Sequence, residues 1–221
     1  MYRVTETTTR QAATPRPTRR RAETRRRLLA AAHEVFAEEG FGRASVEDVC
    51  ERAGFTRGAF YSNFSSLDEL FLAMWEERSA ALLAALGASL EAVAELGPLS
   101  LEEGIGRLLE ALPLEDRWYR VQAEFTAHAL RNPLLRDVVA ARESQIADTL
   151  LPYLDQALER VGLRVAGERE AFAAALVAVH DGTAVQCLVE PGEPRVRERR
   201  RQLFLAVVRA YTEPAAAGGK P

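Results

Sequence analysis

Lysine is nearly missing from this chain. Of 29 basic residues only Lys220 is a lysine; the rest are arginine. That bias, with abundant Ala, Leu and Glu, is what a GC-rich coding sequence produces, and it carries no mechanism. Cysteine is scarce as well. Cys50 and Cys187 are far apart and have no C-x-x-C partner, which argues against a disulfide framework or a cysteine-built zinc site and fits a reducing cytoplasm. No apolar run approaches the roughly 18 residues of a membrane span, so no membrane partner is expected. The arginine-rich start resembles the first part of a signal peptide, but His33 and Glu34 break the apolar LLAAA stretch at once. There is no Ser/His/Asp set, no metal-ligand spacing and no Gly-rich phosphate loop. The expectation is therefore a cytoplasmic protein that is not an enzyme and has no metal and no cofactor.

What is present is a globular composition with an uneven charge. The chain has 221 residues, 48% hydrophobic and 28% charged, with a net charge of −3. Residues 1–27 hold nine arginines and two glutamates, or +7, so the remainder carries −10. A basic arm on an acidic body points to a polyanion partner at the N-terminal end.

Residues 1–22, rich in Thr, Arg and Pro, read as a disordered basic arm. From about Thr24 a helical period begins, with Leu28, Leu29, Ala32, Val35 and Phe36 on one face. Gly40 ends that helix and Phe41 can fold back on it. Ser45 caps a second helix, with Asp48 three residues on. Gly54 suits a tight turn, and Thr56 caps a third helix carrying Arg57, Gly58, Ala59, Phe60 and Tyr61. Phe60 and Phe64 fall on one buried face, while Tyr61, Ser62 and Asn63 offer polar groups. Ser66 with Glu69 reads as a capping box for a fourth helix. Two short helices joined by a tight turn have the form of a helix-turn-helix, whose second helix enters the DNA major groove.

The stretch AHEVFAEEGFGRASVEDVCERAGFTRGAFYSNFSSLDELFLAM resembles the N-terminal domain of the tetracycline-repressor (TetR) family. The resemblance rests on Phe36, Gly40, Phe41, Ser45, Val46, Ala53, Gly54, Phe55, Thr56, Gly58, Phe60, Tyr61, Phe64, Glu69 and Leu70 in register. It implies an all-α homodimer with a ligand domain behind the DNA-binding domain. Two positions depart from the family pattern: Leu67 stands where a basic residue is common, and Asn63 where a histidine is. The expected fold is all-α with about nine helices. It comprises a DNA-binding domain over residues 23–70, a helical ligand-binding and dimerisation domain over 71–212, and a flexible tail over 213–221.

Expected DNA contacts divide by role. Backbone N–H groups at the helix starts near Thr56 and Ser66 favour phosphate, as do Arg43 and the hydroxyls of Ser45, Tyr61 and Ser62. Gly58 and Ala59 keep the surface low so that the groove can approach. Arg57, with Asn63 second, is the candidate for reading bases. Arg19 to Arg21 and Arg25 to Arg27 are candidates for phosphate or minor groove.

In the body, Gly97-Pro98 closes the fourth helix and Ser100 with Glu103 opens the fifth. Further helices are expected over 118–131, 134–161, 168–189 and 196–211, with Pro152 kinking or ending one of them. Residues 162–167 read as a loop, and no strand is expected. The apolar stripes Phe172, Val179, Thr183 and Leu203, Phe204, Val207, Val208, Tyr211 are expected at a dimer interface, or else against the chain's own core. Polar and aromatic residues on otherwise apolar helices, Trp118, Tyr119, Gln122, Phe125, His128, His180 and Asp181, are candidates for binding a small-molecule effector. The functional expectation is a ligand-responsive regulator, foremost a repressor on a palindromic double-stranded DNA operator. The alternative is a small-molecule-binding or catalytic helical bundle in which DNA binding is secondary.

Overall fold

A computed structural model describes residues 19–94 and 99–215. The chain begins there with α1 (Arg19–Glu39), α2 (Val46–Ala53), α3 (Arg57–Tyr61) and α4 (Leu67–Ala94). It continues with α5 (Leu101–Ala111), α6 (Asp116–Ala129), α7 (Pro133–Arg160), α8 (Arg169–Val189) and α9 (Pro194–Tyr211). The all-α expectation holds, with nine helices among the described residues.

The local signals act as their chemistry requires. Gly40 ends α1 at φ 89°, and Phe41 turns back onto Phe36 with ring centroids 5.1 Å apart. At α2, Ser45 Oγ accepts from Asp48 N–H at 3.2 Å and Asp48 Oδ2 accepts from Ser45 N–H at 2.8 Å, a reciprocal capping box. Ser100 and Glu103 do the same for α5. The expected box at α4 is altered. Ser66 Oγ accepts from Glu69 N–H, but Glu69 Oε2 reaches one residue further back, to the N–H and hydroxyl of Ser65, both at 2.6 Å.

Other differences lie where local pattern is weak. Arg19 to Ala22, read with the arm, already belong to α1; the rest of the arm, the Gly97-Pro98 breaker and tail residues 216–221 lie outside the described residues. Pro152 neither ends nor interrupts α7. It and Asp148, whose carbonyl loses its helical donor, are both exposed, so water can take the freed bond. The expected loop at 162–167 contains β1 (Leu163–Val165), which pairs antiparallel with β2 (Thr212–Pro214). Three-residue strands are too short to show a period of two, and the pairing joins segments almost fifty residues apart. An 18-residue window of α8 has a mean hydropathy of 1.5, enough by length and composition to cross a membrane, yet Phe172, Ala173, Leu176, Thr183, Ala184 and Cys187 are buried within the fold.

Two cores organise the molecule. The first joins α1 to α4 around Leu28, Phe36, Val49, Phe60, Leu70 and Phe71, and takes in Val121, Phe125 and Ala129 from α6. The second joins α5, α7, α8 and α9 around Ile105, Leu158, Phe172, Leu176, Phe204 and Leu205. α6 is thus a body helix buried in the core that carries α2 and α3. Four residues connect it to α5, which lies in the other core.

Candidate nucleic-acid interface and body cavity

α2 and α3 are joined by a turn whose geometry fixes their crossing. Gly54 takes the left-handed conformation, φ 68° and ψ 39°, which a side chain at Cβ would penalise. Phe55 N–H then bonds back to the Cys50 carbonyl at 2.9 Å and Gly54 N–H to Glu51 at 3.1 Å. Thr56 Oγ1 caps α3 from the other side by accepting from Ala59 N–H at 3.3 Å. Phe60 is fully buried and Phe64 nearly so, so α3 is pinned by one face while Arg57, Gly58 and Tyr61 stand exposed on the other.

The polar candidates divide into free and occupied groups. Arg57 is held to Glu47 of α2 at 2.7 Å, both side chains being more than half exposed, and its guanidinium lies over the Tyr61 ring at 6.0 Å. An exposed pair of this kind is weak, so a base or phosphate can displace Glu47. Ser62 Oγ and Asn63 Nδ2 both donate to the Ala59 carbonyl at 2.8 Å. They bind α3's own C-terminal end, which sequence reasoning did not anticipate. Arg43 is exposed, with Nε donating to the Glu39 carbonyl at 2.6 Å. Ser45 is half-buried and occupied in its capping box, Ala59 is half-buried, and Ser66 caps α4. Leu67 is half-buried against the first core, so packing accounts for an apolar residue where the family often has a base.

The arginines of α1 carry a structural load that the sequence did not reveal. Arg21 Nη2 donates to the Ser62 carbonyl at 2.9 Å, and Arg27 Nη2 to the Ala53 carbonyl at 2.7 Å. Arg27 also lies over Phe55 at 4.7 Å and Arg25 over Phe64 at 5.3 Å. Arg27 therefore braces the turn between α2 and α3, and Arg21 the end of α3, against α1. Arg21, Arg25 and Arg26 line a shallow cleft with Asn63 and Glu77, leaving a basic strip beside α3.

The effector candidates do not come together. Trp118, Phe125 and His128 of α6 meet at the seam with α1 and α4. The Phe125 ring stacks on Phe71 with centroids 3.8 Å apart, and Trp118 lies parallel to Phe71 at 5.9 Å. His128 Nε2 sits 3.2 Å from Asp68 Oδ1. Arg78 covers Trp118 and pairs with Glu115. His33 is half-buried beside Trp118, and desolvation lowers its pKa, with the Arg78 charge next in effect. Tyr119 and Gln122 are half-buried on the same helix. His180 and Asp181 lie on α8. Burial first, then the Arg200 charge, holds His180 at about 4; desolvation first, then Glu143, pushes Asp181 up to about 6 although the residue as a whole is exposed. Among the described residues no group of three His, Cys, Asp or Glu could hold a metal ion.

The interface candidates are mostly turned inward. Phe172, Phe204 and Val208 are buried in the second core, with Val179, Val207 and Tyr211 packed against it. Thr183 is buried and donates to the Val179 carbonyl at 2.6 Å. Leu203 remains 40% exposed and Val189 73%. Inside the same core lies a cavity of about 360 Å3, within the size range of small-molecule sites. None of the seven effector candidates lines it. Its one local sign in the sequence was a glycine inside α5, Gly104, where an added Cβ would meet nothing within 4 Å.

These features have counterparts in known proteins. Residues 28–74 match the family model described as bacterial regulatory proteins, tetR family, and residues 100–213 that of the BetI-type transcriptional repressor, C-terminal. The HTH-type transcriptional repressor AcnR of Corynebacterium diphtheriae is 29% identical over 132 residues, covering 60% of this chain and 64% of that protein. The chain thus spans just under two thirds of that relative's length. AcnR of Corynebacterium glutamicum is 28% identical over 171 residues, covering 77% of this chain and 83% of that one. Among solved structures, the multidrug binding protein EbrR complexed with imidazole is 26% identical, with a TM-score of 0.60 over 88% of this chain and 97% of that one. With the helix-turn-helix matched at one end and a single C-terminal model matched over more than half of the chain at the other, the chain belongs to the TetR family of bacterial regulatory proteins.

Proposed function

We propose that the protein is a ligand-responsive, DNA-binding transcriptional regulator acting in the cytoplasm, a repressor foremost, that holds a palindromic operator as a homodimer. The observation that carries this reading is the position of α6. Its Val121, Phe125 and Ala129 are embedded in the core that holds α2 and α3, and it is joined through residues 112–115 to α5, a wall of the body cavity. A ligand with higher affinity for one placement of α5 biases α6, and α6 cannot move without repacking Phe71 and Phe41. Differential affinity for two placements is all that a ligand-driven release requires.

On the DNA side, Arg57 reads bases and Tyr61, Arg43 and the exposed Arg19, Arg20 and Arg25 of α1 meet phosphate, with Gly58 allowing close approach. In a two-fold dimer the two α3 helices face half-sites about one helical turn apart; the exposed Leu203 on α9 and Val189 at the end of α8 support an interface on that side. The repressors AcnR and the small-molecule complex of EbrR support both halves of the reading. The test is to select binding sites from random DNA and footprint the winner. One protected palindrome is expected. Arg57→Ala should weaken binding about tenfold and relax preference at one base position, in line with the ~1–3 kcal/mol of a bidentate base contact. Equal loss on all sequences would make Arg57 a phosphate contact, and diffuse protection would refute the regulator reading.

A further inference from the structure

The chemistry of the body cavity names the class of molecule it takes. Its deep wall is apolar, formed by Ile105 of α5, Leu154 and Leu158 of α7, Phe172 of α8 and Phe204 of α9. Its volume of about 360 Å3 lies at the small end of the range of ligand sites, which suits a chain of medium length. Water is poorly accommodated by such a wall, whereas a hydrocarbon tail gains by leaving water. Gly104 enlarges the space: α5 carries a glycine, unfavourable inside a helix, at the point where a Cβ would touch nothing within 4 Å.

Among the described residues the charged ones on the wall are Arg107 of α5 and Arg160 of α7, both exposed and so near the opening. Among the described residues no carboxylate lines the cavity. Glu103, the acid that feels the Arg107 charge, has its Oε2 bound to the N–H and hydroxyl of Ser100. Arg160 Nη1 donates to the Leu90 carbonyl, which fixes one edge of its guanidinium.

We propose that this cavity binds an apolar chain of medium length ending in an anionic head of the carboxylate type. The tail lies against α7, α8 and α9, and the head is held by Arg107 and Arg160. For its biological consequence the assignment rests on the regulator reading above; for its chemistry it stands on the cavity alone. A guanidinium pair forms charge-assisted bonds to a carboxylate, forms weaker ones to a neutral hydroxyl, and repels an ammonium.

The test is calorimetric titration of the full chain with three ten-carbon probes below their micellar concentrations: decanoate, 1-decanol and decyltrimethylammonium. Decanoate is expected to bind once per chain and at least about tenfold more tightly than decanol, the scale of one charge-assisted bond, and the cation not at all. Arg107→Gln and Arg160→Gln should each remove most of the preference for decanoate over decanol. Gly104→Leu should abolish binding of both by filling the tail site, and a thermal melt at or above that of the parent shows that the variant is folded. Decyltrimethylammonium or decanol binding as tightly as decanoate overturns the assignment, as does undiminished decanoate binding by folded Gly104→Leu. Operator affinity is measured in parallel. A chain that binds decanoate but no specific DNA upholds the cavity assignment and defeats the regulator reading; one that binds its operator but not decanoate does the reverse.

Discussion

His180 and Arg200 form a buried contact that should make stability depend on pH in a defined window. Arg200 on α9 is 4% exposed, and its Nη2 lies 3.0 Å from His180 Nδ1 on α8. A guanidinium only donates, so Nδ1 must accept, which leaves the imidazole proton on Nε2 and the ring neutral. Nε and Nη1 of Arg200 have no hydrogen-bond partner in the structure, and burial lowers its pKa. Protonating His180 would set a second cation against this one. Burial and Arg200 accordingly bring His180 from 6.5 to about 4. The folded state therefore binds fewer protons than the unfolded chain between these values. The contribution is fully present above pH ~6.5 and is lost as pH falls towards 4. At about 1.4 kcal/mol per pH unit, the loss is on the order of 3 kcal/mol in full and about 2 kcal/mol by pH 5. Asp181 acts with the opposite sign, because its raised pKa favours the folded state as pH falls. The parent alone therefore shows only the difference of the two effects. The informative comparison is His180→Asn, whose amide oxygen takes the place of Nδ1 as an acceptor for Arg200 but cannot protonate. Urea unfolding of both proteins at pH 8 and pH 5 should show the variant gaining about 2 kcal/mol relative to the parent on acidification. A difference between the two proteins that does not change with pH would refute the argument, since His180 would then titrate alike in the folded and unfolded states.

Further predictions concern the DNA-binding end. Gly54→Ala forces a side chain into the left-handed turn, with Cβ 3.4 Å from Arg27 Nη2; thermal unfolding should register a loss of about 1–2 kcal/mol, and an unchanged midpoint would mean that the turn relaxes. Replacing the exposed Arg19, Arg20 and Arg25 together by Gln should reduce the slope of log affinity against log salt by ~0.9 per phosphate contact removed. An unaltered slope would show that these side chains do not meet DNA. Arg27→Met should weaken operator binding by displacing the turn, because Arg27 bonds the Ala53 carbonyl; salt titration separates this from a phosphate contact, since the slope should stay as in the parent.

The helix-turn-helix was legible because its signals are short-range. Ser45 with Asp48, Gly54 and Thr56 act on partners within four residues, and the i, i+4 pair Phe60 and Phe64 states which face is buried. The body was legible as helices and not as a site. Trp118, Phe125 and His128 had the mixed polarity expected of an effector pocket. Their rings instead meet Phe71 and Phe41, and nothing near them in the sequence names those partners. The cavity that does exist is walled by Leu, Ile and Phe, residues that in sequence look the same as any core.

By itself the sequence determined the helical class, the starts and stops of most helices, the register of the DNA-binding motif and the family, all of which follow from caps, breakers and periodicities spanning a few residues. Which stripes face which was settled by packing between distant helices. It turned Phe172 and Phe204 towards their own core, made Arg21 and Arg27 braces of the motif, paired Leu163–Val165 with Thr212–Pro214, and left a space beside Gly104. Each of these joins residues dozens of positions apart, and an amphipathic helix states that it has a face to bury without stating against what.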